Sequence, residues 1–88
     1  MPVASPLRLR IEQEQAALDK AESYIVAGER RVTEQMERIA QLEADGHDIG
    51  LAERTLRNLQ DTLEQWRAHR EAILAELDRL RGGRGRAD

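Results

Sequence analysis

The amino-acid sequence predicts an all-α fold: an antiparallel two-helix hairpin of coiled-coil type that pairs with a second copy into a four-helix bundle. Three observations lead there. Every seventh residue from Ile11, through Leu18, Ile25 and Val32, to Ile39 is a large aliphatic, which places a continuous apolar row on one helix. In the second half Ala52, Leu56, Leu59, Leu63, Trp66, Arg70, Ile73, Leu77 and Leu80 follow alternating steps of four and three, with only Arg70 breaking the apolar seam. Between the halves lies "EADGHDIG", and neither half contains an internal proline or the alternation of a strand.

The elements follow in chain order. Residues 1–5 are expected to be a flexible lead, and the first helix to span about 6–45. Ser5 can accept an orphan amide there, and Pro6 loses nothing at the first helical position. With Ile11, Leu18, Ile25, Val32 and Ile39 as the first row, the companion row reads Leu7, Glu14, Ala21, Gly28, Gln35 and Leu42. That row is thin in its middle, where Met36, beside Gln35, can swing in to fill it.

At the bend, Gly46 can take the left-handed conformation that closes the first helix, and Asp48 is expected to cap the second, spanning about 49–81. So short a connection makes the helices antiparallel neighbours. Folding the chain back about the bend pairs Ile39 with Leu56, Val32 with Leu63 and Leu18 with Leu77. In that register Gly28 lies opposite Trp66. A helical glycine costs roughly 1 kcal/mol against alanine, and room for the indole is the preferred explanation, with a tolerated glycine or slight kink as the alternative. Arg70 falls near Ile25, within reach of Glu22 or Glu29, and either fixes register as a paired polar break or lies at a solvent-exposed edge. The expected seam is thus Leu18, Ile25, Gly28, Val32, Ile39 and Leu42 against Leu56, Leu59, Leu63, Trp66, Arg70, Ile73 and Leu77. Gly82 closes the second helix, and the tail 82–88 is expected to be flexible.

Apolar residues outside the seam include Leu9, Ala17, Tyr24, Val26, Met36, Leu51 and Leu74. A thin rod of two helices buries little surface for its length, so these imply a second contact face and a homodimer. Tyr24, Met36 and Leu74 are the candidate outer contacts.

Composition bounds the function. With 88 residues, 35% of them charged and 40% hydrophobic, the chain is one small domain near the size where a single core gives only marginal stability. It has no cysteine and only Tyr24 and Trp66 as aromatics, which excludes disulfides and thiolate metal sites. No apolar run is long enough to span a bilayer, and the start "MPVASPLRLR" lacks the apolar segment of a signal peptide, so a cytoplasmic protein without membrane contact is expected. Acids and bases are interspersed and the net charge is −3, which argues against nucleic acid as a partner.

Asp45, His47 and Asp48 superficially resemble metal ligands. A calcium loop counted from Asp45 needs a glutamate at its twelfth position and has Leu56. A zinc site needs more His or Cys, and His69 lies about six turns, or ~30 Å, from the bend. His69 has no nucleophile placed beside it, and Gly82, Gly83 and Gly85 follow a helix instead of opening one. No catalytic, metal or cofactor residue is therefore expected, and the chain is not expected to be an enzyme. The tail "RLRGGRGRAD" reads as a solubilising terminus; nucleic-acid backbone binding by its arginines is the alternative.

The run "GERRVTEQMERIAQLEADGHD" followed by "DTLEQWRAHREAI" resembles a type of small bacterial helical-hairpin protein, mostly without assigned function. The matching positions are Gly28, Gln35, Ile39, Leu42, Gly46, Asp48, Leu56, Leu59, Leu63, His69 and Arg70, within residues 24–77. The resemblance implies a hairpin of bacterial origin and transfers no catalytic residue. Some small antiactivators that mask transcription regulators share this architecture. The function expected is a non-enzymatic protein–protein interaction module, self-associating and with a further, unknown protein partner.

Overall fold

The computed structural model describes residues 5–82, so 1–4 of the expected 1–5 lead and 83–88 of the expected 82–88 tail lie outside the described residues. It is an all-α antiparallel hairpin of two helices, α1 (Pro6–Ala44) and α2 (Gly50–Leu80). The expected boundaries differ from these by one residue at the end of α1 and at each end of α2.

Each end has a local chemical cause. Ser5 is extended, and its hydroxyl accepts from the Arg8 amide at 3.0 Å while Pro6 opens the first turn. At the other end of α1, Gly46 adopts φ +78°. Its amide donates to the Glu43 carbonyl at 3.0 Å, and the His47 amide donates to the Leu42 carbonyl at 2.9 Å. This crossed pair is a Schellman closure, and it satisfies carbonyls that α1 would otherwise leave bare.

The start of α2 corrects the expectation for Asp48. Ile49 is the N-cap residue, with φ −107° and no side-chain capping bond. Asp48 lies one residue upstream, where its Oδ1 accepts from the Gly50 amide at 3.0 Å. The carboxylate therefore serves the helix as a short Asx turn rather than as the cap.

Both helices present one stripe to each other, and the best-packed part lies toward the open end of the hairpin. Leu18, Ala21, Ile73 and Leu77 form a buried cluster, with Ile11, Ala17 and Trp66 packed against it. Burying an aliphatic side chain of this size contributes roughly 1.5–3 kcal/mol, so this cluster carries much of the stability. Ile25 and Leu63 continue the core toward the middle, and Ala52 is buried near the bend.

The thin second row of α1 acquires a structural meaning. Ala21 is the most buried of the described residues, at 0% exposure. A methyl group on Gly28 would lie 3.2 Å from Leu63 Cδ1 and 3.7 Å from Leu63 Cβ. Small residues on α1 thus receive larger side chains from α2. Gly28 accordingly makes room for Leu63, not for Trp66 as the fold-back register suggested. The reason is that a seam side chain enters a hole between several residues of the facing helix, so no residue has a single opposite number.

Candidate functional site

The seam itself places Leu18, Ile25, Leu63, Ile73 and Leu77 in buried positions. Gly28, Val32, Ile39, Leu42, Leu56, Leu59, Trp66 and Arg70 are half-buried. Ala21 and Ala52, which stood on the predicted rows but not in the expected seam, are both buried. Their small side chains gave them little weight beside the leucines and isoleucines of the same rows.

Two polar residues interrupt the seam. Gln35 Nε2 donates to the Ala52 carbonyl across the hairpin at 2.9 Å, which ties α1 to the first turns of α2. Arg70 pairs with neither glutamate anticipated for it and sits partly exposed at the seam. Its Nε is buried without a hydrogen-bond acceptor, and the nearest carboxylate is Glu71 Oε2 at 3.6 Å, too long for a hydrogen bond. The side chain as a whole remains 35% exposed. Glu29, one of the partners anticipated for Arg70, instead accepts from Arg67 Nη2 at 3.1 Å.

These contacts also define the two broad faces of the two-helix layer. On one, which we call the glutamate face, Glu29 meets Arg67 at 3.1 Å and Gln15 accepts from Arg81 at 3.2 Å. On the other, the aromatic face, Arg10 Nη2 meets Glu76 Oε2 at 3.0 Å and Tyr24 stacks on Trp66 with ring centroids 4.5 Å apart. The His69 ring meets Trp66 edge-on at 5.6 Å, and Lys20 Nζ lies 6.0 Å from the Tyr24 centroid. The stack on an indole adds a seam-edge contact to Tyr24, which was expected only on the outer face. The tyrosine bridges the two helices at the seam's edge while staying 44% exposed, because a flat ring beside the seam gains by covering Trp66. Met36 and Leu74 are exposed on the glutamate face at 54% and 40%.

Electrostatics concentrate at Glu76. Arg79 donates to both of its oxygens, at 2.9 and 2.6 Å. These hydrogen bonds hold the Glu76 carboxyl below the usual carboxylate range; partial desolvation opposes this, and the charges of Arg79 and Arg10 add to it. Arg79 is raised by the same partnership.

Surface hollows are shallow and follow the seam. One of about 430 Å³ on the glutamate face includes Val32, Leu63, Glu29 and Arg67 in its lining. Another of about 350 Å³, near the bend on the aromatic face, includes Gln35, Arg38, Asp48 and Leu51. The acidic bend residues have local partners: Gln41 Nε2 donates to the Asp45 carboxylate at 3.2 Å, and Asp48 holds Gly50. Among the described residues, no group of three or more His, Cys, Asp or Glu is placed to hold a metal ion. Nor is any helix among them long and apolar enough to cross a membrane.

The arrangement offers two long ribbed faces, each mixing charge with exposed apolar groups. Comparison with protein-family models, with curated proteins and with solved structures finds no match.

Proposed function

We propose that this hairpin is a non-enzymatic protein–protein interaction module that pairs with a second copy into a four-helix bundle, working in the bacterial cytoplasm. One observation carries the reading. Large apolar side chains stay exposed on both helices, with Val26 at 58%, Met36 at 54%, Leu51 at 72% and Leu74 at 40%, while the mutual seam buries few residues. Covering such groups against another helical layer is the ordinary way a thin hairpin gains stability. The resemblance to small bacterial hairpin proteins supports the same reading and supplies the bacterial setting.

Size-exclusion chromatography with light scattering at micromolar concentration tests it. A mass above one chain that falls on dilution is expected. A single-chain mass at every concentration would remove the self-association from this reading. Capture of a second protein by the hairpin, lost on Leu74→Glu or Met36→Glu with the helices intact, would identify the glutamate face as the surface used.

A further inference from the structure

The bend joins the two reactants of a spontaneous backbone rearrangement. Asp45 precedes Gly46 in an exposed connection. An aspartate carboxyl can be attacked by the nitrogen of the following amide, and most readily when a glycine follows, because it has no Cβ to crowd the approach. The Gly46 nitrogen bonds to Asp45 Cγ, its proton and the hydroxyl of the carboxyl group leave as water, and a five-membered imide forms. Water then adds back. Addition at Cγ restores aspartate. Addition at the main-chain carbonyl carbon of Asp45 breaks that carbon's bond to nitrogen and leaves the chain running through Cγ, as isoaspartate. The mass is unchanged, and the main chain is one carbon longer.

The closed bend holds the reacting atoms apart. Ring closure needs Cβ and the Gly46 nitrogen on the same side of the Cα–C bond, at ψ of about −120°, outside the main allowed regions. Asp45 lies instead at φ −87° and ψ 0°. Its carboxylate accepts from Gln41 Nε2 at 3.2 Å, which draws it back along α1 and away from Gly46. Turning ψ to the reactive value swings the Gly46 and His47 amides off the Glu43 and Leu42 carbonyls, which they now meet at 3.0 and 2.9 Å. The Schellman closure must therefore open before the ring can form.

We infer that Asp45 is an isomerisation site gated by the Schellman closure, reacting only from the opened bend, and that its product does not close again. With one more carbon ahead of Gly46, the two amides no longer reach their carbonyls in register. A transient opening is made permanent at the bend that joins α1 to α2. This holds whether or not the hairpin pairs with a second copy.

Warm incubation of the full-length chain at neutral pH in heavy-oxygen water, with and without denaturing urea, tests the gate. Trypsin, cutting after Arg38 and Arg54, releases the segment 39–54, in which isoaspartate appears as a separately eluting peptide carrying one heavy oxygen. Two hydrogen bonds of ordinary net strength favour the closed bend by roughly tenfold to a hundredfold, so isoaspartate at Asp45 should form slower by that factor in the native chain than in urea. Gln41→Ala frees the carboxylate and leaves the backbone bonds of the closure in place. It should quicken the native reaction by about twofold to fivefold and leave the rate in urea unchanged. Chains carrying isoaspartate, separated and refolded, should melt about 5–15 °C below identically treated unmodified chains. Equal rates with and without urea, or a Gln41→Ala effect that persists in urea, overturn the gate. Absence of isoaspartate under both conditions overturns the site, and equal melts overturn the permanent loss of closure.

Discussion

Replacing Gly28 separates helix propensity from seam packing, because the two act in opposite directions at this position. Alanine in a helix interior is favoured over glycine by about 0.8–1 kcal/mol. Its methyl group would sit 3.2 Å from Leu63 Cδ1, closer than the 3.5–4.0 Å of a relaxed carbon contact. The atom that must yield is the free end of a side chain, and a shift of a few tenths of an ångström suffices. Gly28→Ala is therefore expected to gain between zero and about 1 kcal/mol. Gly28→Leu adds branched carbons beyond that methyl, directed at a Leu63 side chain that is only 5% exposed. Overpacking costs roughly 1–3 kcal/mol; with three carbons beyond the methyl the cost falls in the upper part of that range, about 2–3 kcal/mol, and less the propensity gain of about 0.8–1 kcal/mol it leaves a net loss of about 1–2 kcal/mol. At about 4–8 °C per kcal/mol for a domain of this size, the melting temperature should fall by roughly 5–15 °C. Thermal melts followed by far-ultraviolet circular dichroism, at one fixed protein concentration since association adds to stability, read both variants. A Gly28→Leu melt at the wild-type temperature refutes the close approach of α1 to Leu63, and a Gly28→Ala loss above about 1 kcal/mol refutes the ease with which the Leu63 side chain yields.

Three further outcomes are expected. Arg70→Leu removes a buried Nε without an acceptor and restores the apolar seam, so the urea midpoint should rise by the equivalent of about 1–2 kcal/mol; a lower midpoint would mean the guanidinium is worth more in place than its contacts indicate. Gly46→Ala forces a side chain into φ +78° and should cost about 1–2 kcal/mol, while Gly46→Asn, whose side chain tolerates that region, should lose less in the same denaturation assay. The Glu76 carboxyl is held low by Arg79 and Arg10, so its folded pKa lies below its unfolded one. The stability it contributes is then present above the unfolded value and lost as pH falls through the folded one. Urea midpoints measured from neutral pH downward should fall across the carboxylate range, and Glu76→Gln should flatten part of that slope; an unchanged slope would show that the Arg79 pairing does not survive in solution.

The sequence made the architecture legible because a hairpin of two long helices repeats one simple rule many times. The rows through Ile11 and Leu56 predicted both helices, and Gly46 marked the bend where its left-handed backbone indeed closes α1. Finer points failed where the outcome depends on more than spacing. Asp48 and Ile49 are adjacent, and which one caps α2 depends on backbone angles set by the Schellman closure before them. Gly28 was assigned to Trp66 because folding a chain on paper gives each residue one partner, whereas Leu63 packs against Gly28 with Val32 lining the same hollow. Tyr24 is exposed as an outward residue, and no periodicity reveals that its ring also stacks on an indole. The polar seam residues were the least legible. Gln35 finds a carbonyl on the other helix, and Arg70 finds no acceptor for its Nε, yet both simply read as breaks in an apolar pattern.

The position of the densest packing determines how the molecule yields. Leu18 and Ala21 meet Ile73 and Leu77 near the open end, far along the chain from the bend that joins the helices. Drawing the two termini apart would load this strongest third almost at once, before the looser part beside Gly46 bears any strain. Force would build to a single abrupt release instead of peeling the helices turn by turn. Under tension the hairpin is a clasp with its lock at the mouth, and the bend is only its hinge.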